Sequence, residues 1–107
     1  MTSFIPTNSF ATMLTDAIAC KLDAQEQKQA ADATTEAVRG GVGTTSSWTS
    51  ATRPGVTGSS TVKAQTMAAN GASCMDVTDV VIVNGEETTV SKRMCRQPGA
   101  SGYVVAV

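Results

Sequence analysis

At 107 residues and 11.0 kDa, the chain has room for one small domain. Its 41% hydrophobic content excludes a chain disordered by composition, while 4% aromatics require a thin core of Val, Ala, Ile, Leu and Met. Histidine is absent and 8 basic residues nearly balance 9 acidic ones, so histidine acid–base chemistry, histidine metal ligation and a nucleic-acid-binding field are excluded.

No run approaches the roughly 20 apolar residues of a membrane helix. A secretory signal is not expected either, because the first basic residue is Lys21 and no continuous apolar stretch follows one. The chain is therefore read as cytosolic, or as the mature part of an exported protein.

Phe10, Met13, Leu14, Ala17, Ile18 and Leu22 recur at three- and four-residue spacing. This predicts an amphipathic helix with Ser9 as its N-cap. The stripe is too apolar for a lone exposed helix. Phe4, Ile5, Phe10, Met13, Leu14 and Ile18 are thus candidates for docking a partner, unless they pack on the chain's own sheet.

A second helix is predicted from Asp23, where Asp23 and Glu26 have the spacing of a capping box. It runs to Val38 and ends with basic Arg39 followed by Gly40 and Gly41. Its apolar face, Ala30, Ala33, Ala37 and Val38, is made of small residues.

Residues 44–61 are dominated by Ser and Thr, with Trp48 the one large apolar side chain. Two polar strands joined by a turn at Arg53-Pro54-Gly55 are preferred here to a flexible linker. The next run, Val62–Met67, leads to Asn70-Gly71, read as a two-residue hairpin turn. A second Asn-Gly, at 84–85, lies between Val80-Val81-Ile82-Val83 and Glu86-Glu87-Thr88-Thr89-Val90.

The second hairpin places the cysteines. With a two-residue turn at Asn84-Gly85, Cys74 and Cys95 fall directly opposite each other at a non-hydrogen-bonded pair, where Cα atoms approach to about 4.5 Å. That separation suits a disulfide. A Cys74–Cys95 bridge argues for an oxidising compartment. Cys20 is left over, read as a small apolar group on a helix. Without a C-x-x-C pair or a histidine, no zinc site is expected.

The two turns also sort the faces. Cys74, Asp76, Thr78, Met67, Gln65, Lys63, Cys95, Arg93 and Ser91 share the polar face, with Asp76 opposite Arg93. Val62, Ala64, Met75, Val77, Val81, Val83, Met94 and Val90 share the apolar one. Asp79 falls among the latter and calls for a bulge, or a rim position where it caps helix amides. A last strand, Tyr103–Val107, follows a loop at 97–102. The expected fold is α+β: an N-terminal helical segment, 1–41, packed on a five-stranded antiparallel meander sheet, 44–107.

Motifs for chemistry are missing. Ser and Thr are plentiful but no base accompanies them, and Ser60-Thr61-Val62-Lys63 does not open a helix as a Ser–Lys dyad requires. Glu86-Glu87 is a solvated pair at a hairpin tip. Gly40–Gly43 follows a helix rather than opening one, so it is no phosphate cradle. Arg53, Lys63, Arg93 and Arg96 lack interleaved aromatics, against single-stranded nucleic acid. Only Asp79, were it to line a pocket, would support a small enzyme or enzyme inhibitor.

Ser47-Trp48, the first Cys, Val83-Asn84-Gly85, and Met94-Cys95-Arg96-Gln97-Pro98-Gly99 together resemble the C-terminal domain of the seventeen-kilodalton surface antigen family of Gram-negative bacteria. The helix at Leu22–Gln27 resembles the segment preceding that domain. The resemblance implies a small envelope protein of the periplasm or outer membrane without enzymatic activity. Residues 1–16 contain neither the lipobox cysteine nor the Gly-rich zipper usual in the family, and Tyr103 stands where a Trp is common, so a lipid anchor is not expected. The expected function is a non-catalytic, exported, surface-antigen-like module with protein partners, no cofactor, no metal and no nucleic acid. The alternative is an accessory subunit of a larger envelope complex, docked through the N-terminal apolar helix.

Overall fold

The computed structural model describes residues 13–100 and 102–106. Two helices, α1 (Asp16–Ala19) and α2 (Ala24–Gly40), precede five strands: β1 (Thr45–Thr49), β2 (Val56–Met67), β3 (Ser73–Val83), β4 (Glu86–Arg96) and β5 (Val104–Val105). The strands form one antiparallel sheet in sequence order, β1-β2-β3-β4-β5. The α+β meander read from the sequence is the fold.

The long first helix is not what residues 13–22 form. Thr15 is extended (φ −79°, ψ 158°) and opens the single turn of α1, and Asp23 is extended again (φ −77°, ψ 176°). Thr15 and Asp16 are residue types that favour a helix start over a helix interior. The apolar spacing is met by consecutive turns instead, and Leu14, Ile18 and Leu22 still reach one buried cluster. The Ser9 cap, Phe4, Ile5 and Phe10 lie outside the described residues.

The second helix matches its signals. The Asp23 carboxylate accepts the Glu26 amide at 2.8 Å, and the Glu26 carboxylate accepts the Asp23 amide at 2.9 Å, a reciprocal capping box. Gly41, at φ 85°, closes the other end in a conformation that L side chains rarely adopt. Gln27 Nε2 donates to the Ala19 and Leu22 carbonyls and so ties α2 to the turns before it. The small-residue face, Ala30, Ala33, Ala37 and Val38, is buried, and α2 lies across β1 and β2.

The β3–β4 hairpin has the expected register throughout, from Val83↔Glu86 to Ser73↔Arg96. The β2–β3 hairpin does not. Its loop has three residues, Ala69-Asn70-Gly71, inside the Ala68–Ala72 pair, with Gly71 at φ 87° and the Asn70 side chain accepting the Ala72 amide. A type I turn followed by a left-handed glycine forms this longer loop. A bulge at Lys63 shifts the register once more. The loop puts Ala64 opposite Asp76 on the outer face and Gln65 opposite Met75 on the helix side, and the bulge returns Val62 to the helix side. Among the described residues, the final strand pairs Val104 and Val105 with Cys95 and Met94, while Val107, its expected end, lies outside them.

Two apolar clusters form the core between helices and sheet. The first holds Leu14, Ile18, Leu22, Ala30, Val56 and Val81, with Trp48, Val83 and Val90 against it. The second holds Ala37, Val38, Val62, Met75, Val77 and Met94, with Tyr103 and Val105 against it. Trp48 anchors edge strand β1 by lying on Gly58, where a Cβ would stand 2.5 Å from the indole.

Candidate functional site

Between the two clusters every inward row carries a polar residue. Along β2 the inward positions run Val56, Gly58, Ser60, Val62. On β3 Asp79 stands between Val77 and Val81, and on β4 Lys92 stands between Val90 and Met94. On α2 Thr34 stands between Ala30 and Ala37. Thr34, Ser60, Asp79 and Lys92 are all buried, at 0%, 2%, 3% and 6% exposure.

These four side chains close a ring. Lys92 Nζ donates to Thr34 Oγ1 at 2.9 Å and lies 2.7 Å from Asp79 Oδ2. Ser60 Oγ donates to Asp79 Oδ1 at 2.6 Å, and the Thr34 and Ser60 hydroxyls meet at 2.8 Å. A hydroxyl has one proton. Since Ser60 gives its proton to the carboxylate, Thr34 must donate to Ser60, and Thr34 in turn accepts from Lys92. Lys92 Nζ also donates to the Met13 carbonyl at 2.6 Å. Burial pushes Lys92 below its ordinary value, with the Asp79 charge and its contact opposing.

Asp79 is therefore neither bulged nor at the rim. It lies directly opposite Ser60 in the ladder and is charge-paired in the core. The sequence reading missed Lys92, Ser60 and Thr34. A signal existed: with Asp79 opposite Val90 and Val77 opposite Lys92, Asp79 and Lys92 are diagonal neighbours on one face.

A second ionic cluster holds the β1–β2 loop to the start of α2. Glu26, with 0% exposure, receives Arg53 Nε on Oε2 at 2.9 Å and Arg53 Nη2 on Oε1. The Ser50 hydroxyl also donates to Oε2. Hydrogen bonds from Arg53 hold the Glu26 carboxyl at about 2, down from an ordinary 4.5; burial opposes them, and Ser50, the Asp23 amide and the Arg53 charge assist. The same contact raises Arg53. Arg53 Nη2 reaches the Lys21 carbonyl at 3.0 Å as well, so one side chain spans loop, helix and turn. Gln29 adds two bonds to the same loop, to the Thr49 carbonyl and from the Ala51 amide.

Cys74 and Cys95 are bonded across β3 and β4, with Cα atoms 4.1 Å apart, and Cys20 is free and exposed. The close Cα approach is that of a non-hydrogen-bonded pair. Of the candidate docking residues described, Leu14 and Ile18 are buried in the chain's own core, at 6% and 0% exposure, and Met13 packs on both clusters.

The sheet face away from the helices is a grid of hydroxyls. Its rows follow the registers: Thr45, Thr61, Thr78, Ser91; then Ser47, Ser59, Val80, Thr89; then Thr49, Thr57, Ile82, Glu87. The lone carboxylate of these rows is at a corner. The mid-sheet members, Thr57, Ser59, Thr61, Thr78, Val80 and Ile82, remain half-exposed, so no described layer covers them. Asp76 and Arg93, paired at 3.2 Å, lie next to the grid as their register requires.

An open groove of about 230 Å³ between α2 and β1 is lined by Gln29, Asp32, Ala33, Glu36 and Ser46–Trp48. Its two carboxylates are paired on the surface, Asp32 with Lys28 at 2.9 Å and Glu36 with Arg39 at 3.0 Å. Among the described residues no group of three or more His, Cys, Asp or Glu is placed to hold a metal ion. No described helix is long and apolar enough to cross a membrane.

Compared with protein-family models, curated proteins and solved structures, the chain shows no match.

Proposed function

We propose that the chain is a non-catalytic cell-envelope module, exported in the manner of the surface antigens its second half resembles. Its open sheet face acts as a contact surface for protein partners. The observation that carries this reading is the uncovered hydroxyl grid, an ordered face backed by a core whose charges are paired internally. The Cys74–Cys95 bond is compatible with an oxidising compartment. Burial of Leu14 and Ile18 against the chain's own sheet favours this reading over an accessory subunit docked through the N-terminal stripe.

The test combines compartment and surface. Thiols of the native chain are alkylated in intact cells before fractionation. The chain should appear in the envelope fraction with Cys74 and Cys95 protected, and the pair Ser59→Arg and Val80→Arg, at the centre of the grid, should release it from its partners without lowering its melting temperature. A cytosolic chain with three alkylated thiols, or an Arg pair that changes no association, would defeat the proposal.

A further inference from the structure

The buried ring has a chemical consequence that lies outside the contact function and does not depend on it. Asp79 Oδ2 receives no aligned hydrogen bond from any described residue, although it is buried, and Lys92 Nζ stands 2.7 Å from it. A charge-paired ammonium and carboxylate normally meet through a hydrogen bond. Here the nitrogen is also held by two other acceptors, the Met13 carbonyl and Thr34, which fix its place beside the carboxyl group. The side chains of Lys92 and Asp79 are 0% and 4% exposed, so water does not compete for either.

We infer that Lys92 and Asp79 condense into an intramolecular isopeptide bond, a cross-link between β3 and β4 formed by the folded chain itself. The ring supplies the proton transfers. Lys92 donates to Thr34, Thr34 to Ser60, and Ser60 to Asp79 Oδ1. One concerted shift along that path takes a proton from Nζ and delivers it to Oδ1, leaving a neutral amine beside a neutral carboxylic acid. Burial already lowers Lys92, which eases the loss of that proton.

The neutral amine is the nucleophile. Its lone pair attacks the Asp79 carboxyl carbon, the C–N bond forms, and the carbonyl pair moves onto Oδ2. A second amine proton passes to Oδ1, the C–Oδ1 bond breaks, and Oδ1 leaves as water carrying both transferred protons. The Oδ2 carbonyl re-forms. The nitrogen keeps one proton, which the Met13 carbonyl accepts. Nothing is oxidised or reduced, and no co-reactant is required. Fixed approach of the two groups replaces an activating agent, as proximity does in intramolecular reactions.

The experiment uses the full chain, denatured and fully reduced so that the disulfide no longer joins its strands. Intact mass should fall short of the sequence mass by one water. Cleavage after Glu86 and Glu87 separates Asp79 from Lys92 in the chain, so their two fragments should remain joined and fragment as a branched peptide. Trypsin should also fail to cut after Lys92. A full-mass chain whose two fragments separate after reduction overturns the inference. Lys92→Arg keeps the charge and must give separate fragments. Ser60→Ala keeps both reacting groups but breaks the relay, and freshly purified protein should show most of the joined product lost. Joining at the wild-type level in Ser60→Ala would overturn the relay.

Discussion

Glu26 works at three levels at once. It closes the capping box of α2, anchors Arg53, and receives Ser50, all from a position with no solvent exposure. Its carboxyl is held at about 2 against an ordinary 4.5. The folded state therefore binds its proton less readily than the unfolded chain does. The stabilisation is complete above the ordinary value and is lost as pH falls through the window from 4.5 to about 2. Glu26→Gln removes the titration. Urea midpoints followed from neutrality down through that window should show a large deficit for the variant near neutrality and a shrinking one toward the acid end. A constant difference would mean that Arg53 does not depend on the ionised carboxylate.

At the scale of elements, the β3–β4 hairpin was fully legible and its neighbours were not. Asn84-Gly85 is a two-residue turn with Asn84 at φ 52° and Gly85 at φ 85°, the chemistry that such turns demand. The identical dipeptide at Asn70-Gly71 sits in a three-residue loop because Ala69 joins it, and nothing in the short-range pattern separates the two cases. The Lys63 bulge was likewise invisible, since a single unpaired residue leaves no compositional trace. In α1 the apolar spacing was genuine, but Thr15 and Asp23 take extended backbone and cut it into turns. The polar ring could have been read only by combining the β3–β4 register with the rule that inward charges come in pairs. The disulfide belongs to this hairpin. In the Lys92→Arg background, where no second cross-link closes the same hairpin, replacing both Cys74 and Cys95 by Ser should cost about 3 kcal/mol on the chain-entropy model for their 21-residue separation, read as a fall in unfolding free energy. A much smaller loss would show that the hairpin persists in the unfolded chain.

At the scale of the molecule, the two sides of the sheet are assigned different tasks. The helix side encloses every buried charge, and the grid on the outer side offers hydroxyls, two aliphatic residues and a corner carboxylate, with the internally paired Asp76 and Arg93 beside it. A contact made through such a face rests on short-range and water-bridged hydrogen bonds rather than on long-range charge. Its association should therefore survive a rise in salt from about 0.1 M to about 1 M, over which the Debye length falls from about 10 Å to about 3 Å. Retention in the envelope fraction through a high-salt wash measures this. Release by salt would shift the contact to the charged groove side or to Arg93 and Arg96.

The mid-core ring also answers a question that apolar patterning leaves open. A strand that slips by one residue turns its buried face to water and is rejected at once. A slip of two keeps every inward side chain inward and offends no hydrophobic rule. In β2 it would put Gly58 or Val62 in the place of Ser60, and in β4 it would put Val90 or Met94 in the place of Lys92. The first shift takes the hydroxyl donor from the Asp79 carboxylate and the second takes its ammonium partner, and in the dry core either loss costs about 1 to several kcal/mol. The four polar side chains thus act as an index mark, making even-numbered misalignments as unacceptable as odd ones.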